Sequence, residues 1–594
     1  MLLDDILKVG EVCEVSGKTI KVGVCSEKNV EYINYNGQAV KNVGIGNFIL
    51  IRKGFDNIIG KIEGEQISEI SKISTYSNMN EKIERILSIS VLGALVKDKF
   101  VHGLTALPLV GNFAYIVTEN IVRQIFAKTD KDTLTLGSLI GYANYPFTVS
   151  VQDLLCSHIG IFGNTGSGKS NTLAKLYYET INQYSTNNSF QKNSKFIFID
   201  FNGEYGSVFP NAKVYNLSTR SNKGDKYPIS NEDMQDKEFW SIILEATDKT
   251  QTPFIGRVLR KYNKMIENNR CITTNEICKL LFNSQPKYLE VRPYLQDLFS
   301  LLGIDPQLQT FTQSFLINAQ SGQFRTTYND YNVTPDIIHN TIFPQRDTPY
   351  IEVDLSNSFV AFEIALIYKI IDEISRNYII KEHIGPLMAR AKTKLNLLDK
   401  VLEIQDNIDD NQIEVISLSS LNTEMKKTIP LMICKKLYDK KKKAKRKTVE
   451  TTLHIIVDEA HNILSNVSNR ESEQWKEYRL ECFEEIIKEG RKFGVFLTVS
   501  SQRPSDISDT IISQLHNYFI HRLVNEEDLR KIQRTLSFSD KATNEMISIL
   551  TAGGCIFSGL ATNFPILAQI SILNRENQPH SETVSILEAW KDIK

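Results

Sequence analysis

Eight consecutive residues, Gly163-Asn164-Thr165-Gly166-Ser167-Gly168-Lys169-Ser170, fill the phosphate-binding pattern G-x-x-x-x-G-K-[ST] at every position. Backbone N–H groups that close around phosphate oxygens need the φ/ψ freedom and close approach that glycine allows, and a helix N-terminus behind them adds partial positive charge. Lys169 is expected to reach the β- and γ-phosphates and the Ser170 hydroxyl to ligate Mg²⁺. Asn171 completes the candidate nucleotide-binding set. The flanks fit: Ile159 to Phe162 form a short apolar run suited to a buried strand, and Leu173, Leu176 and Tyr177 recur at helical spacing. As an isolated glycine turn the segment would only cap a helix, but strand, loop and helix in this order favour a nucleotide site.

A second apolar run, Leu453 to Val457, delivers two adjacent acids, Asp458 and Glu459, followed by Ala460 and His461. After a complete glycine loop, such a pair suggests one acid holding Mg²⁺ through water and the other polarising an attacking water. Asp458 takes the first role and Glu459 the second, whereas His461 could simply satisfy a local hydrogen bond. Glu204, in Asp200-Phe201-Asn202-Gly203-Glu204-Tyr205, lies just past another strand and is a site candidate or a solvated loop acid on spacing alone. Gln502, at the tip of Val495 to Ser500, is placed to sense the γ-phosphate. Arg491 and Arg503 are candidates for a finger that stabilises charge on the transferring phosphoryl group, or for pairing with a nearby carboxylate.

These residues need a scaffold. From Leu154 onward strands alternate with helices, the pattern of a parallel sheet covered on both faces, with Lys195 to Asp200 as one buried strand and Tyr518 to Leu523 and Ile566 to Ile572 as late ones. Residues 233–410 interrupt that rhythm with helical patterns such as Phe359, Phe362, Leu366, Ile367, Ile370, Ile371 and Ile374, and Ile413 to Leu418 restore the sheet. Residues 1–140 read as short strands with turn signals at Gly17, Gly37, Gly44 and Gly46, which suggests a small barrel. The expected division is a barrel over 1–140, a core over 141–232 and 411–575, a helical insertion over 233–410, and a polar tail over 576–594.

At 594 residues the chain exceeds one core, so roughly two to four domains are expected. Net charge −1 and a pI near 6.8 exclude a protein coated in positive charge; contact with nucleic acid would need a local patch or channel. The densest basic block, Lys440 to Lys447, has no interleaved aromatics and reads as a solvated surface able to touch phosphate but not to stack on bases. The eight cysteines lack metal-site spacing, with only Cys271 and Cys278 close together. No secretory signal begins the sequence, and Phe359 to Ile371, the best membrane candidate, is short and carries Glu363 and Lys369. A cytoplasmic protein is expected.

Taken together, GNTGSGKSNT at Gly163 to Thr172, DFNGEY at Asp200 to Tyr205, DEAH at Asp458 to His461 and EGRKFGVFLTVSSQRPSD at Glu489 to Asp506 resemble the HerA family. The resemblance covers nearly the whole chain. It implies an α/β fold with a RecA-like P-loop ATPase core, an N-terminal β-barrel of the HAS type and a helical-bundle insertion. It further implies a homohexameric ring that uses ATP and Mg²⁺ to translocate double-stranded DNA, with a partner nuclease or other effector docked on the barrel. By position it makes Glu459 the catalytic acid, Glu204 a supporting acid, Arg491 the trans-acting finger and Gln502 the polar strand-tip residue. Archaeal repair members read D-P-H-G-E-Y where this chain has Phe201 and Asn202. Bacterial HerA-like proteins encoded beside antiviral effectors vary there, which makes a defence role an expectation. The competing reading is a ring scaffold that assembles and regulates an effector under nucleotide control, without obligatory translocation. A membrane-anchored pump with the same core is disfavoured because no apolar stretch is long enough to span a bilayer and the N-terminal part reads as β-rich.

Overall fold

A computed structural model describes residues 5–17, 19–35, 37–69, 83–97, 99–103, 106–126, 132–221, 223–267, 271–318, 321–326, 332–344, 350–352, 357–444, 449–467, 472–535, 541–581 and 590. The fold is α/β with an N-terminal barrel. Six strands close that barrel in the order Thr19–Val24, Lys8–Ser16, Phe113–Ile116, Phe48–Lys53, Asp56–Glu69 and Ile83–Val96, and the last pairs back onto the first. The strand Thr19–Val24 shows why: Ile20, Val22 and Val24 are buried while the residues between them are not, so one face of each strand lines a small core. Closure leaves no free edge inside the ring.

The core is one sheet of eleven strands. Seven run parallel, in the order Asn517–Ile520, Ile159–Phe162, Val495–Ser501, Thr452–Val457, Ser194–Asp200, Ile413–Ser420 and Lys213–Ser218. Antiparallel strands Gly554–Gly559, Ile566–Ile570, Thr133–Leu139 and Tyr142–Ser150 extend the sheet beyond Asn517–Ile520. Ile159–Phe162 and Val495–Ser501 are buried at every residue, as expected where helices cover both faces. The hairpin Thr133 to Ser150 therefore pairs with the core sheet rather than with the barrel strands.

The chain leaves Ile159–Phe162, passes through the helix Lys169–Gln183 and returns as Ser194–Asp200, with two strands between them in the sheet. Such a jump opens a crevice at the carboxyl edge of the sheet, where ligands of open α/β sheets bind.

Between Tyr227–Ile229 and Ile413–Ser420 lies the helical insertion, centred on Ser358–Ser375. The apolar face read from the sequence is its core, since Phe359, Phe362, Leu366, Ile367, Ile370, Ile371 and Ile374 are all buried and Trp240 stacks on Phe362. Barrel and core are joined by packing as well as by the chain: Phe48 meets Phe126 and Phe564, and the Tyr142 hydroxyl accepts the Phe48 N–H.

Lys440 to Lys443 end the helix Met425–Lys443, where Lys442 pairs with Glu485 and Lys441 donates to the Thr451 carbonyl. The rest of the basic block, Lys445, Arg446 and Lys447, lies outside the described residues, as do residues 582–589 and 591–594 of the tail.

Candidate nucleotide site

The glycine loop sits at the carboxyl end of Ile159–Phe162, and Gly168, at φ +109°, starts the helix Lys169–Gln183. Two of its glycines are required by space. A Cβ on Gly163 would lie 2.5 Å from the His521 Cβ, and one on Gly168 would lie 2.9 Å from Gly553 backbone. The loop is moored by backbone bonds on each side: Asn164 N–H donates to the Arg522 carbonyl at 2.9 Å, and Gly553 N–H donates to the Ser167 carbonyl at 2.9 Å. The Ser167 hydroxyl closes the turn on the Asn164 carbonyl at 2.6 Å. This leaves the loop preformed.

His521 supports the loop from behind. Burial drives its pKa down to about 4, so the ring is neutral. A carbonyl can only accept, so Nδ1–H donates to Gly554, and Nε2 accepts the Thr172 hydroxyl at 2.9 Å. The sequence gives one cue to this histidine, a polar residue just past a buried strand.

Lys169 is buried, only 6% exposed, and its charge acts on Asp458, Glu459 and His521. Asp458 and Glu459 follow Thr452–Val457 and face that ammonium. Burial, then the neighbouring Glu459 charge, pushes the Asp458 carboxyl up to about 7, against the pull of Lys169. Burial would also raise Glu459, but His461, Lys169 and the Gln502 backbone outweigh it and hold Glu459 below its ordinary value. His461 Nδ1 lies 3.3 Å from Glu459 Oε2. Glu459 is held in the left-handed region at φ +46°, a conformation that costs a non-glycine residue about 1–3 kcal/mol and concentrates at functional sites.

Glu204 joins these acids. Asp200, fully buried, accepts the N–H groups of Asn202 and Gly203 on Oδ1 and that of Tyr205 on Oδ2, which winds the loop so that Glu204 faces the crevice. Asn202, where the archaeal motif has histidine, donates its amide to Glu204 Oε1 at 3.0 Å. Tyr205, missed in the sequence, puts its hydroxyl among Asp458, Glu204 and Asp200 and beside Ser170. Gln502 reaches the loop itself, since Thr165 Oγ1 donates to its Oε1 at 2.6 Å.

Asp458 Oδ1, Glu204 Oε2 and the Tyr205 hydroxyl are buried without a hydrogen-bond partner, and the equally buried Glu459 Oε2 has the His461 ring 3.3 Å away. Oxygens of this kind, in a pocket with Ser170, fit a hydrated divalent cation. Among the described residues no three His, Cys, Asp or Glu converge as a dedicated metal cage. That suits Mg²⁺, which keeps waters and takes phosphate oxygens. Ser170 would hold it directly and Asp458 through water, and the ion would neutralise charge on the phosphates.

Arg491 is not in this cluster. It precedes Val495–Ser501, whose seven residues span roughly 20 Å, while the loop lies at the strand's other end. There its NH1 donates to His516 Nε2 at 2.8 Å, and its side chain is exposed. Arg503 lies at the carboxyl edge, exposed, 3.9 Å from Asp506. Asn171 spends its amide on the backbone of Ser571 and Leu573.

A family model described as "Helicase HerA, central domain" matches residues 134–437, just over half of the chain, and so takes in the glycine loop and the Glu204 loop. The chain belongs to the HerA family. The DNA double-strand break repair helicase HerA of Pyrococcus furiosus is 20% identical over 593 residues, covering 93% of each protein. The HerA of Sulfurisphaera tokodaii is 28% identical over 237 residues, 39% of this chain; that match and those to the Sulfolobus acidocaldarius and Saccharolobus solfataricus proteins span 46%, 53% and 37% of those relatives' lengths. Among solved structures, VirB4 of Thermoanaerobacter pseudethanolicus is 13% identical at a TM-score of 0.41, covering 75% of this chain and 98% of that one. The plasmid coupling protein TrwB in complex with ADP and Mg²⁺ is 13% identical at a TM-score of 0.40, covering 78% and 94%. In this HerA-family chain the motif acids stand on two neighbouring strand ends beside one glycine loop, although Glu204 and Glu459 are 255 positions apart in sequence (459 − 204). Among the described residues no helix is long and apolar enough to cross a membrane.

Proposed function

We propose that this HerA-family chain hydrolyses ATP with Mg²⁺ and uses the energy to translocate double-stranded DNA through a homohexameric ring. The observation that carries the reading is the convergence of a moored glycine loop, a buried lysine and three carboxylates, two of them with unpartnered buried oxygens, at one sheet edge. Lys169 binds the β- and γ-phosphates, Glu459 takes the proton of the attacking water, Glu204 and Asn202 orient it from the far side, and Gln502 links γ-phosphate occupancy to the loop through Thr165.

Arg491, at the opposite edge and exposed, cannot serve its own loop; it is the finger for the neighbouring subunit, and His516 fixes its direction. Arg503 stays at the home edge. A ring puts each Arg491 against the next subunit's loop, which is why the reading requires more than one copy.

The barrel carries the partner, a nuclease or other effector, in DNA processing or antiviral defence. Its described surface exposes Phe55, Leu109 and Val110, an apolar set of the kind that marks contact surfaces.

The test is ATP hydrolysis by the purified full chain with and without duplex DNA at low salt, alone and with its partner. Stimulation that falls steeply as salt rises supports the motor. Hydrolysis indifferent to duplex DNA in both settings removes it and leaves the nucleotide-controlled scaffold.

A further inference from the structure

The order of strands in the core divides the crevice around the glycine loop into two halves. Asp458, Glu459, Gln502 and Glu204 all stand at the ends of strands on one side of Ile159–Phe162. A triphosphate whose γ end faces them must send its ribose and base out on the other side. On that other side, at the same edge, two backbone segments meet the loop. One is the turn Thr551 to Gly553 that opens Gly554–Gly559; the other is the stretch Ser571 to Leu573 that leaves Ile566–Ile570.

Both segments are tied down by side-chain amides. Asn171, next to Ser170, donates from Nδ2 to the Ser571 carbonyl at 3.2 Å and accepts the Leu573 N–H on Oδ1 at 3.4 Å. Gln569 donates to the Ala552 carbonyl at 3.0 Å and accepts the Thr551 hydroxyl at 3.3 Å. The two segments also bond to each other, Ile570 N–H donating to the Gly553 carbonyl at 3.0 Å. Gly553, at φ +77°, has a left-handed backbone that favours glycine, and a Cβ there would lie 2.6 Å from Gln569 Nε2 and displace that amide. Between the two backbone groups gripped by Asn171 sits Ile572, an aliphatic side chain 73% exposed.

We propose that Ile572, with the rigid segments Ser571 to Leu573 and Thr551 to Gly553, is the nucleoside subsite: the nucleobase lies against Ile572 by apolar contact, and Asn171 and Gln569 are positioning residues that hold the platform beside the loop. The proposal rests on the reading of Gly163 to Ser170 as a nucleoside triphosphate site and adds where the nucleoside goes. It also gives Asn171 a role its place in the motif does not suggest, since its amide is spent on the platform.

The test is equilibrium displacement of a fluorescent ATP analogue from the full chain with Mg²⁺, by ATP and by inorganic tripolyphosphate, which has phosphates but no nucleoside. Ile572 is exposed, so Ile572→Ser keeps the fold. It is expected to weaken ATP about 5- to 10-fold, the loss of a few buried apolar carbons, and to leave tripolyphosphate unchanged. Gln569→Ala, which frees the turn, is expected to shift ATP in the same direction, again sparing tripolyphosphate. Wild-type ATP affinity in Ile572→Ser, or equal weakening of both ligands, overturns the subsite. Lys169→Ala separates the two levels: if it leaves both ligands bound as before, the nucleotide reading itself falls and the subsite with it.

Discussion

At the scale of single residues, Glu459 concentrates the account. It is lifted into a left-handed backbone conformation and held ionised by His461 and Lys169 despite burial. A proton acceptor facing a water needs these properties. Glu459→Gln keeps the shape and removes the base, so hydrolysis is expected to fall about 10²- to 10⁴-fold while nucleotide binding persists; single-turnover hydrolysis and equilibrium binding measured on the same variant check it. Much of this was legible in the sequence, because glycine loop and acid pair are short-range patterns with strong physical demands. Asn202 was not, because its bond to Glu204 depends on how Asp200 winds the loop. His521 and Tyr205 were not either, since what they meet includes the P-loop helix, Thr172 for His521 and Ser170 for Tyr205, far away in sequence. A second residue-scale prediction concerns His454, packed between the rings of Phe196 and Phe496 at 4.9 and 5.2 Å. Burial, then the Lys441 charge, takes its pKa down to about 3. The unfolded chain binds the proton below about pH 6.5 and the folded one does not until about 3, so this stability is complete above 6.5 and lost as the pH falls toward 3. At pH 5 the loss is about 2 kcal/mol. Thermal melts at pH 7 and 5 should show a smaller drop for His454→Phe than for the wild type.

At the scale of elements, the sheet does the positioning. Its strands were legible from runs such as Val495 to Ser500 and Ile413 to Leu418, because a strand covered on both faces is apolar along most of its length. The expected late strand Ile566 to Ile572 ends at Ile570, and the two residues left over belong to the segment that Asn171 holds. No periodicity marks that change; it comes from a contact 400 positions away. The segment continues past the P-loop helix to the Glu204 loop, where His580 N–H donates to the Glu204 carbonyl at 2.9 Å and the Asn577 amide donates to the Val208 carbonyl at 3.1 Å. One stretch of chain thus ties together the two sides of the site. Proline has no N–H to offer, so His580→Pro loosens the Glu204 loop without touching the phosphate cradle. Steady-state kinetics should show kcat reduced several-fold at nearly constant KM; an unchanged kcat would mean the strap only packs.

At the scale of the molecule, the proposed ring turns on the placement of Arg491. The sequence put Arg491 and Gln502 eleven positions apart (502 − 491) and named both as site residues. The intervening strand sends them to opposite edges of the sheet, Gln502 to its own glycine loop and Arg491 to the outside. In the proposed ring, Arg491 at the far edge would serve the loop of the neighbouring copy. The near-zero net charge leaves any DNA contact to a local patch or channel rather than to the general surface. Travel along duplex DNA is the central claim, and displacement of a labelled third strand from a duplex reads it most directly. The full chain with ATP, Mg²⁺ and its partner should strip the third strand, and Glu459→Gln should bind the same DNA without stripping it. A wild-type ring that binds the duplex and hydrolyses ATP yet leaves the third strand in place would contradict the account.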